Sequence, residues 1–207
     1  VDREWIEHSP VHRIKALPRN QLPAWSEHDL QRALAELPEP LRRVVQLGVY
    51  TGQRRGDLIK MRWSDDDGTH LHVVQQKTGA RLALKVHPEL RLLLSAWRTE
   101  TKTLTILAGP DGLPWVAQRV SERMARALAK IDGMPLHLNI HGVRKLAATR
   151  LADAGATTHE IAAITGHQTL SMVALYTASA DQKRLGDAAI HRLKPASGKR
   201  EKTKLKA

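Results

Sequence analysis

The sequence predicts an α+β fold that is mainly helical and carries one small antiparallel sheet. Two patterns support this prediction. Apolar residues recur at helical spacing over most of the chain, and residues 71–86 alternate around a tight turn. The chain has 207 residues, of which 42% are hydrophobic, so one domain with a buried core is expected. Only 3% are aromatic, and aliphatic side chains must therefore fill that core.

Helices are predicted on both sides of the alternating stretch. Ser26 and Asp29 have the pattern of a capping box, and Pro38 ends the helix that they begin. Pro88 suits the first turn of a later helix, and Gly155 suits the C-terminal cap of another. The predicted helices cover residues 26–37, 41–50, 58–61, 88–97, 116–131, 141–154, 158–164, 171–177 and 181–193.

The alternating stretch predicts a β-hairpin. One strand runs through Leu71, Val73 and Gln75, and a partner strand covers residues 82–86. The connection 77–80 reads Lys-Thr-Gly-Ala, which is typical of a tight turn. We expect either this hairpin alone or a three-stranded sheet with a further strand near Trp63.

The charge balance points to a polyanionic partner. Lysine and arginine number 33 against 21 acidic residues, a formal net charge of +12. Because the basic residues do not gather on one amphipathic helix, nucleic acid is favoured over a membrane surface. The chain has no cysteine, which excludes disulfides, thiol nucleophiles and cysteine-ligated zinc. No apolar run reaches the roughly 20 residues that a membrane span needs.

Polar residues whose side chains could take part in a reaction stand where predicted elements begin or end. Taken singly, each also has an ordinary interpretation as a solvated loop residue or a half-buried packing residue. His141 and Arg144 are three apart at the start of a helix and share one face. The full set is Arg54, Lys77, His141, Arg144, His167 and Tyr176.

Together these residues match a known arrangement. The segments Thr51-Gly52-Gln53-Arg54 and His141-Gly142-Val143-Arg144, with Gly166-His167 and then Tyr176, closely resemble the catalytic domain of tyrosine recombinases, the phage integrase family. The Lys77-Thr78-Gly79 turn adds to the resemblance, which runs from about residue 26 to 190.

Two departures from the family pattern are visible. Asp57 stands where the family usually has glutamate in a supporting role, and Met61 stands where leucine is usual. Because aspartate is shorter than glutamate, the support of Arg54 is expected to differ from that in the family.

The resemblance implies site-specific DNA recombination by strand cleavage and rejoining through a 3′-phosphotyrosyl bond at Tyr176, with no metal, cofactor or ATP. Arg54 and Arg144 would hold the phosphate, since guanidinium groups bind its oxygens in bidentate geometry and stay charged. His141 would assist Tyr176, whose reference pKa near 10 makes help necessary. Lys77 would protonate the leaving 5′-oxygen, and His167 would hydrogen-bond the phosphate.

The resemblance also implies duplex DNA as substrate and a homo-multimer on it, a tetramer when two sites are paired, with no membrane partner. An accessory DNA-bending protein is a further candidate partner, and the cytoplasm of a bacterial host is the expected location. Arg119, Arg123 and Arg126 are candidate DNA contacts on the predicted helix 116–131. A solvated helix face is an equal alternative for these three.

Four parts of the chain are expected. Residues 1–24, which begin with Val1 rather than methionine, would be a linker or arm from a missing N-terminal DNA-binding domain. Residues 25–180 would be the catalytic domain, and 194–207 a basic disordered tail. Residues 181–193 would form a C-terminal helix that docks either on its own domain or, as the family suggests, on a neighbouring protomer.

Three alternatives remain open at this stage. Asp65-Asp66-Asp67 with His70 and His72 would suit a metal nuclease, although three consecutive carboxylates before glycine are typical of a turn. Residues 154–167 resemble a helix-turn-helix, which would suit a non-catalytic DNA-binding module. A type IB topoisomerase-like enzyme would use a similar pocket to relax supercoiled DNA.

Overall fold

Helices dominate the part of the chain that the structure describes. This computed structural model describes residues 24–100 and 102–193, without the side chains of 175, 177, 179–181 and 183–185. The helices are α1 Glu27–Glu36, α2 Glu39–Thr51, α3 Arg55–Leu58, α4 Pro88–Glu100, α5 Ala117–Leu128, α6 Ile140–Asp153, α7 Thr158–Thr165 and α8 Leu170–Arg192. Two strands, β1 His70–Val74 and β2 Arg81–Lys85, form the sheet. The predicted mainly helical α+β fold is confirmed.

Local sequence explains how the first helices begin and end. The Ser26 hydroxyl accepts from the amide of Asp29 at 3.0 Å, and the Asp29 carboxylate accepts from the amide of Ser26 at 3.0 Å, so the predicted capping box is present. Helix α2 ends at Gly52 with φ of 63°, a left-handed conformation that favours glycine. The chain can therefore turn sharply just before Arg54.

The core lies between α2 and α6, with α1, α4, α5 and the inner face of the hairpin packed around them. Val44, Val45 and Leu47 of α2 and Val143 of α6 are fully buried. The indole of Trp25 donates to the carbonyl oxygen of Asn139 at 2.8 Å, which joins the start of the described chain to the beginning of α6. A second, smaller cluster of buried residues holds α6, α7 and α8 together.

The sheet is the predicted hairpin, and its extent decides between the two expectations. Leu71 pairs with Leu84 and Val73 with Leu82 in antiparallel register. Within the described ranges no third strand joins them: Trp63 lies in a 3₁₀ turn, Trp63–Asp65, and a single bridge joins Arg62 to Thr105. The Asp65 carboxylate accepts from the amide of Arg62 at 2.8 Å, which turns the chain instead of extending it.

Two helix predictions need correction. The short turn expected at 58–61 forms earlier, as α3, because the carbonyl oxygen of Arg54 accepts from the amides of Asp57 and Leu58, both at 2.9 Å. The two helices expected at 171–177 and 181–193 are one continuous helix of 23 residues, α8. No proline or glycine stands between the two predicted segments, so nothing in the sequence interrupts the backbone hydrogen bonds.

The ends of the chain and the long helices bear on two further expectations. Residues 1–23 of the expected arm and all of the expected tail, 194–207, lie outside the described residues. None of the helices in the described part is long and apolar enough to cross a membrane.

Candidate active site

The six candidate residues are carried by five different segments of the fold. Arg54 caps the beginning of α3, and Lys77 lies in the turn between β1 and β2. His141 and Arg144 belong to α6, while His167 follows α7. Tyr176 lies in the first half of α8.

Arg144 is the most deeply buried of these groups, with 3% of its surface exposed. Its Nη1 donates to the carbonyl oxygens of Gly52 at 2.9 Å and Thr165 at 2.7 Å. Its Nη2 is also buried, yet no described residue accepts a hydrogen bond from it. Burial and the nearby charge of Arg54 lower the pKa of Arg144 to about 10, an effect that Tyr176 partly offsets. The guanidinium is thus charged at neutral pH and has a free donor.

Arg54 is half-buried and is supported by an amide rather than by a carboxylate. Its Nη1 donates to Oε1 of Gln75 at 2.6 Å. The Asp57 carboxylate instead accepts from the backbone amide of Gln76 at 2.9 Å, and its other oxygen has no partner in the described part of the chain. Among the described contacts no hydrogen bond joins Asp57 to Arg54, and the expectation that the shorter Asp57 changes this support relative to the family stays a prediction.

His167 and Tyr176 are neighbours. Their ring centroids are 5.9 Å apart, with 43° between the ring planes. Nδ1 of His167 lies 2.6 Å from the hydroxyl of Thr165. Burial, followed by the charges of Arg144 and Arg54, lowers the pKa of His167 to about 4. The imidazole is therefore neutral at neutral pH.

His141 lies at the rim of the same cluster. Helix α6 begins at Asn139, whose side chain accepts from the amide of His141 at 2.9 Å. Partial desolvation, followed by the positive charges of Lys145, Arg144, Arg54 and Lys77, lowers the pKa of His141. Lys77 contributes the smallest of these charge effects, and its exposed side chain lies at the edge of the cluster.

Four further polar residues belong to the site but were not among the sequence candidates: Gln53, Gln75, Lys145 and Thr165. The ammonium nitrogen of Lys145 lies 5.9 Å from the ring centroid of Tyr176, although the residue is only 8% exposed. Gln75 has the same strand parity as the apolar Leu71 and Val73, and this was the available signal that its amide is buried.

The three arginines of α5 lie apart from this cluster. The side of α5 that carries Ser121 faces α3, because the Ser121 hydroxyl accepts from Arg55. Residues two positions apart lie on nearly opposite faces of a helix, so Arg119 and Arg123 face away from that contact. Arg123 and Arg126 line a cavity of about 540 Å³ beside Trp115. The structure therefore does not bring these candidate DNA contacts together with the six candidate residues.

The acidic cluster serves the turn before β1. The Asp66 carboxylate pairs with both terminal nitrogens of Arg91, one of them at 2.9 Å. Asp67 accepts from the amides of Thr69 at 2.8 Å and His70 at 2.7 Å. Among the described residues no three histidine or acidic side chains converge as a metal site. Each carboxylate of the cluster has a structural partner, as the turn interpretation predicts.

Helix α7 supports the site through its C-terminal carbonyl groups. The carbonyl oxygen of Ile164 accepts from Gln53 at 2.8 Å, and that of Thr165 accepts from Gln75 and Arg144, both at 2.7 Å. These contacts tie the second helix of the helix-turn-helix-like segment to the polar cluster.

Comparison with known proteins agrees with this geometry. The profile of the phage integrase family matches residues 19–183. The integrase of Escherichia phage HK022 is 33% identical over 173 residues, which are 76% of this chain and 46% of that protein. The chain thus spans about half the length of this curated relative.

Solved structures of lambda integrase share the fold. Its catalytic core superposes with a TM-score of 0.59 at 28% identity, over 70% of this chain and 91% of that structure. A lambda integrase tetramer bound to a Holliday junction superposes with a TM-score of 0.65 at 27% identity, over 74% of this chain and 47% of that one. The profile match covers most of the chain, and the fold agrees with it. The chain belongs to the phage integrase family, with the fold of a tyrosine recombinase catalytic domain.

Proposed function

We propose that this chain is the catalytic part of a site-specific recombinase that cleaves and rejoins duplex DNA through Tyr176. One observation carries the proposal: Arg144 holds a charged, buried donor without a partner in the described structure, beside Arg54 and close to His167 and Tyr176. A buried donor left unpaired costs about 1–3 kcal/mol. A phosphate oxygen would satisfy it.

The reaction is a transesterification. The phenolic oxygen of Tyr176 attacks the scissile phosphorus, and the bond to the 5′-oxygen breaks. The leaving oxygen takes a proton from Lys77, which gives a 5′-hydroxyl and a 3′-phosphotyrosyl ester. Attack by a 5′-hydroxyl on this ester reverses the step, so rejoining needs no ATP or other energy source.

The two arginines stabilise the charge that develops on the phosphate. Attack adds negative charge to the non-bridging oxygens, and preorganised guanidinium donors bind these oxygens more tightly in the transition state than in the ground state. Arg144 is fixed by two backbone carbonyl oxygens, and Arg54 is fixed by Gln75. Both side chains are thus held in place before DNA binds.

The two imidazoles act in their neutral forms. The lowered pKa of His141 keeps a lone pair available at neutral pH for the proton of Tyr176. The Thr165 hydroxyl has one proton, shared between the carbonyl oxygen of Ile161 and Nδ1 of His167, each at 2.6 Å. When Thr165 donates to Nδ1, the ring proton of His167 lies on Nε2 and can be donated to a phosphate oxygen.

Duplex DNA and further copies of this chain are the proposed partners. The net charge of +12 suits a phosphate backbone, and the related lambda integrase is known as a tetramer bound to a Holliday junction. Residues 25–180 form the proposed catalytic unit, acting as a tetramer on paired sites. The proposed location is the DNA of a bacterial host, in its cytoplasm.

Covalent trapping tests the proposal. The protein is incubated with nicked suicide duplexes, and a denaturation-resistant protein–DNA adduct is expected. Tyr176→Phe should abolish the adduct and leave DNA binding within a few-fold, because only the hydroxyl is lost. The matched control is Tyr50→Phe, since the Tyr50 hydroxyl bonds Glu89 outside the cluster and its pKa is raised to about 12. An adduct that persists in Tyr176→Phe would refute the assignment of the nucleophile.

Chelation separates this proposal from metal-dependent cleavage. Adduct formation should be unchanged in EDTA, because charged protein groups hold the phosphate. Loss of cleavage in EDTA that magnesium restores would favour the nuclease alternative. Tight DNA binding without any adduct would favour the non-catalytic binding module, and relaxation of plasmids that lack a recombination site would favour the topoisomerase-like activity.

A further inference from the structure

Gln75 occupies the centre of the polar cluster without being one of its reactive groups. The residue is fully buried at the end of the strand that leads to the turn carrying Lys77. A primary amide has two donor protons on nitrogen and two acceptor sites on oxygen. The neighbours of Gln75 use all four.

The nitrogen of Gln75 faces the segment that leads to His167. Nε2 donates to Oε1 of Gln53 and to the carbonyl oxygen of Thr165, both at 2.7 Å. Thr165 also contacts His167 through its hydroxyl and Arg144 through the same carbonyl oxygen. The donor half of the amide therefore fixes the end of α7 relative to the sheet.

The oxygen of Gln75 faces the opposite side of the cluster. Oε1 accepts from Nη1 of Arg54 at 2.6 Å and from the hydroxyl of Thr78 at 2.9 Å. Thr78 follows Lys77 in the hairpin turn. The acceptor half therefore fixes the Arg54 guanidinium and the turn that presents Lys77.

The chain packs tightly around this amide. A Cβ added at Gly166 would lie 2.3 Å from Nε2 of Gln75. Gln53, which accepts from Gln75, is 1% exposed and is itself fixed, because its nitrogen donates to the carbonyl oxygens of Thr51 and Ile164. Gln75 thus has one arrangement in which every polar atom is paired.

We infer that Gln75 is a positioning residue for DNA cleavage, which acts by holding Arg54, the Lys77 turn and the Thr165–His167 segment in register around one phosphate. The inference rests on the proposed function. Glutamine suits the role because a neutral amide donates on one side and accepts on the other. A carboxylate would face the oxygens of Gln53 and Thr165 with no proton to donate.

The test compares single-turnover cleavage at saturating suicide duplex in wild type, Gln75→Met and Gln76→Met. Gln75→Met keeps the volume and removes both halves of the amide, so the rate should fall about 10- to 100-fold while the Kd for DNA stays within a few-fold. Gln76 is the matched control, because its exposed side chain bonds Lys60 and the carbonyl oxygen of Gly56. Gln76→Met should cleave within about twofold of wild type.

A double-mutant cycle identifies the route of the effect. If Gln75 acts in part through Arg54, then Gln75→Met combined with Arg54→Ala should cleave clearly faster than the product of the two single defects. Gln75→Glu keeps both acceptor sites, but its carboxylate faces the oxygens of Gln53 and Thr165 without a proton to donate, so its rate should also fall clearly below that of wild type. It also serves as the deciding variant if Gln75→Met does not fold.

The outcomes separate this inference from the proposed function. A wild-type chain that forms no adduct would overturn both. An adduct in wild type with a rate within threefold in Gln75→Met, or fully multiplicative defects in the cycle, would overturn the positioning role alone. If Gln75→Met does not fold, a wild-type cleavage rate in Gln75→Glu would also overturn the positioning role.

Discussion

Arg144 donates from Nη1 to the carbonyl oxygen of Thr165 over 2.7 Å, and this bond joins the middle of α6 to the last residue of α7. The Thr165 hydroxyl in turn contacts His167. One buried arginine therefore both carries a free donor and fixes the backbone from which the neighbouring imidazole projects. In this site the groups that we propose to bind the phosphate also hold one another in place.

Replacing the two arginines should separate catalysis from stability. Arg54→Ala and Arg144→Ala should each lower the single-turnover cleavage rate about a hundredfold, since each removes a preorganised charged donor. Arg144→Ala loses the bonds to the carbonyl oxygens of Gly52 and Thr165 but also removes the buried, unpaired Nη2 donor, two opposing effects of about 1–3 kcal/mol each, so the free energy of unfolding should change far less than the cleavage rate. Denaturant unfolding measures the free energy, and suicide-substrate kinetics measure the rate.

Arg32→Ala provides the control for both variants. Arg32 forms a partly exposed ion pair with Glu36 in α1, at 3.4 Å and away from the site. Its loss should change neither the cleavage rate nor, by more than about 1 kcal/mol, the free energy of unfolding. A full cleavage rate in Arg54→Ala or Arg144→Ala would contradict the phosphate-binding role.

The sequence was sufficient for the features that local rules govern. The capping box at Ser26, the hairpin at Leu71 and Leu84 and the start of a helix near His141 all follow from short-range patterns, and the structure contains each. The sequence patterns placed the six candidate residues at the ends of predicted elements, although Tyr176 lies inside the continuous helix α8. Their family resemblance then suggested that they converge.

The features that were missed depend on contacts between distant segments. Gln75 and Thr165 are 90 positions apart, and no local pattern shows that Gln75 bonds both Thr165 and Arg54. The continuity of α8 was missed because the weak apolar pattern between its two halves was interpreted as a break. Asp57 differs from the family pattern by one methylene, and only the fold shows that its carboxylate binds the hairpin backbone.

Two glycines give a matched test of the packing around Gln75. Gly166 and Gly155 both have positive φ, of 70° and 88°, where an alanine costs about 1–2 kcal/mol. A Cβ at Gly155 meets no atom within 4 Å, whereas one at Gly166 lies 2.3 Å from the Gln75 amide. Gly166→Ala should therefore lower both the melting temperature and the cleavage rate further than Gly155→Ala. Equal effects of the two substitutions in thermal unfolding and cleavage assays would show that the Gln75 amide can move away from the added Cβ at little cost.

The titration of His167 should report phosphate binding. In the free protein its pKa is lowered to about 4 by burial and by Arg144 and Arg54, so it stays neutral well below the reference pKa of about 6.5. The unfolded chain takes up this proton first, and acidification from about pH 6.5 towards 4 should therefore lower stability. A bound phosphodiester offsets the arginine charges, so DNA should raise the pKa of His167.

Histidine NMR titrations of Tyr176→Phe, with and without duplex DNA, measure this shift without cleavage. Addition of DNA should move the His167 titration upward. A downward shift or no shift at His167 would place the bound phosphate elsewhere.

The last prediction concerns the second half of α8 and its C-cap, whose described apolar side chains Ile190 and Leu193 are exposed. Of the α8 side chains that the structure describes, Val173 alone is buried, and Ile190 and Leu193 are 71% and 75% exposed. An isolated helix end of this kind is marginal in water, so packing on a neighbouring protomer would stabilise it. Because the same helix carries Tyr176, such packing would link the nucleophile to assembly.

Truncation after Ala180 should leave a folded, DNA-binding monomer that fails to form multimers on paired sites. Recombination should fall much further than single-site cleavage, since cleavage needs one protomer and recombination needs several. Truncation after Leu193 is the control: it removes basic residues and should weaken DNA binding while multimers still form. Light scattering on site-containing duplexes compares the two. Normal multimers from the chain that ends at Ala180 would mean that residues 181–193 do not link protomers and dock on their own domain instead.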